Sequence, residues 1–278
     1  MRKSEIYFQD EFYKIKFFMK RKNIILLLTL IGGLTLVYAY FIETNWLEIT
    51  RHQINLKSNS NKKLKIIQIS DLHTKGIGPI EEKVIEAVQR EKPDFIFLTG
   101  DIATPGGTNF GYEKVLKEMK AQKSIYYIPG NWEDWEPITD LPNILKRNNI
   151  IDMTNKSIRL DEKLWLTGFA DAPTGNPDLS ILKNIPHDAK IISIFHSPIF
   201  FDEVSNSIDL AFAGHTHGGQ IRLPLIGSIA LPPGSGDYDQ GWFAKNRAKM
   251  YVNRGIGTSI VPLRFLCRPE ISIFEINY

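Results

Sequence analysis

The chain has 278 residues, enough for one large domain with a buried core, and its 43% hydrophobic and 23% charged residues are those of an ordinary globular protein. A net charge of only +3 argues against a nucleic-acid binder, and the single cysteine, Cys267, excludes an intrachain disulfide and a multi-cysteine metal site.

Residues 1–23 form a basic segment, followed by an uncharged run, IILLLTLIGGLTLVYAYFI, from Ile24 to Ile42. Its nineteen residues at about 1.5 Å each cover roughly 30 Å, so the sequence predicts a transmembrane helix over 24–42. Aromatics gather at its edges, Phe17 and Phe18 before it and Tyr38, Tyr40, Phe41 and Trp46 at its far end. Two alternatives are a buried helix and a signal peptide cleaved at Val37-Tyr38-Ala39. Lys14, Lys16, Lys20, Arg21 and Lys22 precede the span, whereas Arg51 and Lys57 are the first basic residues after it. The positive-inside rule therefore places the N-terminus in the cytoplasm and residues 43–278 outside, although Lys62, Lys63 and Lys65 reduce the asymmetry.

Residues 43–63 are polar and read as a linker, with one strand around Glu48–Leu56. From Leu64 strand and helix patterns alternate. LKIIQIS, FIFLTG and SIYYIPG are strand runs, and PIEEKVIEAVQRE and YEKVLKEMKAQ are the helices between them. This alternation implies a mostly parallel sheet with helices on its faces. LWLTGFA, IISIFH, LAFAG, QIRLP, KMYVNRG and ISIFEI follow with few helices between, which suggests a second sheet packed on the first within one domain over 64–278. His52 and His187 lie outside any motif and read as surface residues.

Five apolar runs end in polar blocks: Asp71-Leu72-His73, Gly100-Asp101, Gly130-Asn131, His196-Ser197-Pro198 and Gly214-His215-Thr216-His217. Residues at the carboxyl ends of strands converge in α/β sheets. Taken alone, Asp-x-His is a turn or cap more often than a ligand set, Gly-Asp and Gly-Asn are ordinary turns, and His-Thr-His is an even choice. Five together, each closing an apolar run, point instead to a metal centre. Oxygen and imidazole donors with no thiolate suit divalent manganese, iron or zinc, and two such ions sharing a carboxylate can activate water against a phosphoryl group.

In order and spacing these blocks resemble the motifs of the calcineurin-like metallophosphoesterase superfamily. The phrases GHTHGGQIRLP, RGIGTS and RFLCRPEI look like its membrane-anchored bacterial branch. The resemblance implies an α/β fold, a four-layer αββα sandwich of two mixed sheets. It implies that Asp71, His73, Asp101 and His217 hold one ion and Asp101, Asn131, His196 and His215 the other. Asp101 would bridge, manganese is favoured, and Asp101, Asn131 and His215 carry the catalytic roles. A hydroxide held between the ions would attack phosphorus in line. The implied location is the bacterial cytoplasmic membrane, single-pass, with the catalytic domain on the outer side.

Arg222, Arg254, Arg264 and Arg268 are candidates for gripping a substrate phosphate, with Arg254 favoured because it ends a strand before glycines. Leu223–Pro233 and Ile260–Leu266 read as a mouth for a lipid chain. One block departs from the family. Where Gly-Asn-His-Asp or Gly-Asn-His-Glu is usual, this chain has Gly130-Asn131-Trp132-Glu133, and an indole donates a hydrogen bond but transfers no proton. The UDP-2,3-diacylglucosamine hydrolases of lipid A synthesis are similar in metal motifs, carry Gly-Asn-Arg-Asp there, and cleave a pyrophosphate. The expected substrate is therefore a pyrophosphate or activated phosphoester of a lipid or envelope precursor, with Trp132 and Arg254 at the substrate. Alternatives are a general phosphodiesterase and a membrane-tethered protein that binds phospho-ligands with little turnover.

Overall fold

The computed structural model describes residues 21–56, 62–103 and 109–278. The basic and aromatic residues expected ahead of the span, Lys14, Lys16, Phe17, Phe18 and Lys20, lie outside the described residues, as does Lys57. Helix α1 runs from Arg21 to Asn45, 25 residues that include the whole apolar stretch, and is long and apolar enough to cross a membrane. Its side chains are exposed from Ile24 to Leu34, but its last turns dock on the rest of the chain. Ala39 and Glu43 are buried there; the Ala39 carbonyl accepts the Arg264 N–H at 3.1 Å, and Glu43 Oε1 accepts the Cys267 N–H at 2.5 Å.

Beyond α1 lie two six-stranded sheets. The first has the order β1 (Glu48–Asn55), β14 (Glu270–Asn277), β2 (Lys63–Ile69), β3 (Phe95–Thr99), β4 (Ser124–Ile128), β5 (Ile150–Asp152). The second has the order β12 (Gly241–Lys245), β13 (Ala248–Val252), β9 (Leu210–Ala213), β8 (Lys190–Ile194), β7 (Leu164–Gly168), β6 (Lys156–Asp161). Alternation of side chains along each strand divides the core into three layers. Ile66, Phe97, Tyr126 and Ile128 of the first sheet meet Leu166, Ile192, Ile194 and Phe212 of the second. Ile67, Ile69, Ile96 and Leu98 face the other way, onto helices α2 (Pro79–Glu91), α3 (Asn109–Glu118) and α5 (Leu141–Arg147). On the far side Ile191, Ala211 and Met250 pack under Phe200, Phe201 and Val204, the last two in the short helix α6 (Phe201–Val204). The order is helices, sheet, sheet, helix: the expected four-layer sandwich.

Three details differ from the sequence reading. The strand expected in the linker is β1, which pairs in parallel with β14 along its whole length, so that part of 43–63 is the edge of the first sheet. ISIFEI, β14, belongs to the first sheet rather than the second, lying parallel to β1 and antiparallel to β2. QIRLP contributes only Arg222–Leu223, strand β10, which pairs with β11 (Gly227–Ser228) in a separate ribbon. His52 is also not a simple surface residue. Its ring stacks on Phe274 at 5.1 Å and accepts the Trp242 indole N–H at 3.2 Å, because β1 lies over the end of the inter-sheet core. His187 is exposed, as its sequence context suggests.

Candidate metal centre

All five blocks reach one end of the paired sheets. β2 leads into Asp71 and His73, β3 into Asp101, β4 into Asn131, β8 into His196, and β9 into His215 and His217. The chain must leave each strand sharply there. Asp71, His73, Asp101, His215 and His217 all have left-handed backbones, φ between +42° and +70°. Such a conformation costs a non-glycine residue about 1–2 kcal/mol, and its clustering at one site marks function rather than packing. Backbone bonds hold the turns against that cost: Asp71 N–H to Gly100 O at 3.1 Å and His73 N–H to Asp101 O at 3.0 Å. The glycines before the ligands are steric requirements. A Cβ on Gly130 would lie 2.2 Å from Asp101 Oδ1, and one on Gly214 would lie 1.8 Å from Ser70 Oγ.

The seven side chains form two groups around Asp101. In the first, His73 Nε2 and His217 Nε2 are 3.1 Å apart, His217 Nε2 is 3.4 Å from Asp71 Oδ1, and His73 Nε2 is 3.6 Å from Asp101 Oδ2. In the second, Asn131 Oδ1 lies 3.1 Å from His196 Nε2 and 2.8 Å from His215 Nδ1, and His196 Nε2 is 3.3 Å from Asp101 Oδ2. The same carboxylate oxygen, Oδ2, thus faces both groups. Its partner Oδ1 accepts the Trp132 backbone N–H at 2.9 Å, which fixes the plane of the bridge.

The donor set fits cations. Ligands bonded at about 2.0–2.2 Å around one ion lie about 3.0–3.5 Å from one another, close to the separations above. The outer nitrogens of two histidines are committed to carbonyls, His196 Nδ1 to Thr99 O at 2.7 Å and His215 Nε2 to Pro233 O at 2.8 Å. A carbonyl only accepts, so those nitrogens carry the hydrogens, and the inward nitrogens are left to bind a metal. His215 Nδ1 then turns a lone pair onto Asn131 Oδ1, two acceptors 2.8 Å apart, an arrangement that a cation relieves.

Burial sets the protonation of the site. It pushes His73 and His215 down to about 4 and His217 well below the usual imidazole range, so these three are neutral donors near pH 7. Asp71 is raised to about 6, first by burial and then against the charge of His196 by that of Asp101. Burial works against charge on Asp101 and His196 as well, but their mutual attraction outweighs it, holding the carboxyl low and the imidazole high.

Residues 64–219, more than half of the chain, match the Calcineurin-like phosphoesterase family. The chain is 31% identical to the metallophosphoesterase YkuE of Bacillus subtilis over 86% of its own length and 89% of that protein's. This chain belongs to the calcineurin-like phosphoesterase family. It is also similar to the phosphodiesterase YaeI of Escherichia coli, 27% identical over 86% and 92% of the two chains, and to a metallophosphoesterase of Aquifex aeolicus, 26% identical over 85% and 94%.

As a calcineurin-like phosphoesterase the chain keeps all seven expected ligand side chains in one buried cluster. Asp71, His73, Asp101 and His217 by themselves form a set whose ligand atoms lie within 4.8 Å of one another. Trp132 is the second residue of a short helix, α4 (Asn131–Trp135), and its ring packs edge-on against His73 at 5.8 Å and against Trp135 at 5.7 Å. The four arginines are engaged within the protein. Arg254 donates to Glu270 at 2.9 Å and Glu48 at 3.0 Å, and Arg222 pairs with Asp239 at 2.9 Å. Arg264 is fully buried and donates to the carbonyls of Arg254, Gly255, Gly257 and Cys267, while Arg268 lies over the Trp46 ring.

One supporting residue received no role from the sequence. Glu133 is buried and accepts three backbone N–H groups, Ile102 at 2.7 Å, Gly130 at 2.8 Å and Asp101 at 2.9 Å, so one carboxylate ties the turn after β3 to the turn after β4. The signal that could have found it is its place three residues after Gly130, where a glutamate closes a helix N-terminus.

Proposed function

We propose that this phosphoesterase hydrolyses a pyrophosphate or similarly activated phosphoester of a lipid or envelope precursor at a membrane, the bond class cleaved by UDP-2,3-diacylglucosamine hydrolases. Trp132 carries this reading. Its ring lies against His73 at the mouth of the metal cluster, where family members place a histidine that serves the departing group. An alkoxide needs a proton to leave, and general acid catalysis is worth about 10²–10⁴ in rate. A phosphate monoester released from a pyrophosphate has a second pKa of about 6 and leaves without that help. An intact ligand set beside a missing acid therefore selects for the leaving group rather than against turnover.

In this reading Asp71, His73, Asp101 and His217 hold one divalent ion and Asp101, Asn131, His196 and His215 the other, with manganese favoured. When bound, such ions polarise the phosphoryl oxygens and supply an activated water. The protein's own part is positional. Asp101 Oδ2 spans the two groups, the Trp132 N–H fixes its rotation, and the carbonyls of Thr99 and Pro233 aim His196 and His215 inward. Helix α1 would anchor the domain on the outer side of the cytoplasmic membrane, beside lipid-linked pyrophosphates of the envelope. The test is hydrolysis by the Mn²⁺-loaded protein of a lipid pyrophosphate beside an alkyl phosphodiester. We expect at least a 100-fold preference for the pyrophosphate in kcat/KM; preference for the alkyl ester sinks the proposal. Activity surviving Asp101→Ala refutes the two-ion assignment.

A further inference from the structure

After the metal ligand His217 the chain makes a detour through an exposed apolar hairpin that comes back to His215. It leaves the site at Gly218, runs out along β10, turns at Pro224 to Ile226, and returns along β11 to Pro233, whose carbonyl accepts from His215. The tip is unusually bare: Leu225 is 108% and Ile226 73% exposed. A second loop lies alongside. Phe265 N–H donates to Gln220 O at 2.9 Å, Arg222 N–H donates to Phe265 O at 2.9 Å, and Gln220 Nε2 donates to Val261 O at 2.7 Å. Leu266 lines the same shallow depression as Leu223 and Leu225, and Ile260 is 89% exposed. Exposed apolar side chains gathered on one surface mark an interaction site.

The occupant is indicated by what touches this surface. The second loop is the segment on which α1 docks. Tyr38 packs edge-on against Phe265 at 6.4 Å, and the Ala39 carbonyl accepts the Arg264 N–H. Tyr38 and Ala39 stand three or four residues inside the apolar stretch that ends at Ile42, a depth of about 5 Å at the helical rise. A membrane that covers α1 to Ile42 therefore also reaches the loop bonded to it. Tyr40 and Phe41 near the end of the apolar stretch and Trp46 just beyond α1 are all exposed, and such aromatic side chains favour the headgroup boundary.

We propose that the β10–β11 hairpin and the 260–266 loop are seated in the bilayer beside α1, so that the metal centre opens at the headgroup level. This rests on the reading of α1 as a membrane anchor and deepens the substrate proposal, because both feet of the seated hairpin stand on metal-ligand histidines. The partner is a lipid bilayer surface.

The test uses the full chain reconstituted in phosphatidylcholine–phosphatidylglycerol vesicles, with a nitroxide placed singly by Ile226→Cys, Ile260→Cys or, on the remote outer layer, Ser180→Cys. The native thiol Cys267 is buried, and the three positions are exposed, so labelling is selective and the fold is preserved. Collision rates with oxygen and with a water-soluble nickel chelate report depth without any turnover. We expect the oxygen-to-nickel ratio at 226 and 260 to exceed that at 180 at least five-fold. Equal ratios at the three positions overturn the proposal. Deep labels in a protein that hydrolyses no lipid pyrophosphate uphold the seating and refute only the substrate reading.

Discussion

Gly214 is where the fold and the metal site are most tightly bound together. A methyl group there would sit 1.8 Å from Ser70 Oγ, 2.4 Å from Asp71 Oδ2 and 2.9 Å from Ser70 Cβ. Normal contact is about 3.4 Å or more, so Gly214→Ala must push β2's last turn and the Asp71 carboxylate away from β9. Overpacking of this kind costs about 2 kcal/mol, or roughly 4–8 °C in Tm for a domain of this size. Displacing Asp71, whose two oxygens each accept the His215 N–H at 3.0 Å, also weakens metal binding by about 10–100-fold. Ser70→Gly removes the nearest obstacle at the loss of the hydroxyl's hydrogen bonds, to Thr99 O at 3.1 Å and to the Asp71 carboxylate, about 1 kcal/mol each. The double variant should therefore be less damaged than the sum of the singles by about 1 kcal/mol or more. Thermal melts with and without Mn²⁺, and Mn²⁺ titrations of all four proteins, measure both effects. Strict additivity, or a Gly214→Ala protein that melts and binds Mn²⁺ like the parent, refutes the steric argument.

Trp132→His restores a proton donor and should raise turnover of alkyl phosphodiesters by up to about 10²-fold while changing pyrophosphate turnover only a few-fold; parallel kinetics on both substrates check it, and equal gains on both would contradict the leaving-group argument. Asp71, raised to about 6 from the usual 3.8, binds a proton in the cation-free fold that it does not bind when unfolded. Its contribution to cation-free stability is therefore fully present below about pH 4 and is lost as pH rises to about 6. Mn²⁺ must displace that proton, so apparent affinity should fall by about ten-fold per pH unit below pH 6, with proton release seen by calorimetry in buffers of different ionisation heat; affinity unchanged between pH 5 and 7 counts against this assignment.

The ligand blocks were legible because strand ends are written locally: an apolar run fixes where a strand stops, and Asp71, Asp101, Asn131, His196 and His215 follow at once. The four-layer architecture was legible only through family resemblance, since periodicity gives strands but not their sheet. β14 shows why. ISIFEI is apolar on both faces, and its place between β1 and β2 depends on partners more than 200 residues away. The partners of the arginines are hidden from the sequence for a similar reason. Arg254 meets Glu48 and Glu270, one 206 residues distant, and nothing local distinguishes such a pair from a phosphate grip. Thr99 and Pro233 act through carbonyl oxygens, which every residue has, so no residue type announces them.

The position of β14 also sets when the first sheet can close. β1 and β2 leave the ribosome early, yet both pair with β14, residues 270–277, made more than 200 residues later. Until that strand emerges, two edges of the first sheet lack their partner, and the loop to be closed is nearly the whole domain. By then α1 has long been made, and when it has entered a membrane the waiting edges are held to one surface rather than free to meet other chains. For a sheet with late-filled edges, tethering of this kind is protection against strand-to-strand aggregation during synthesis. On the proposed reading of α1 as an anchor, the helix would then serve the birth of the domain as well as its placement.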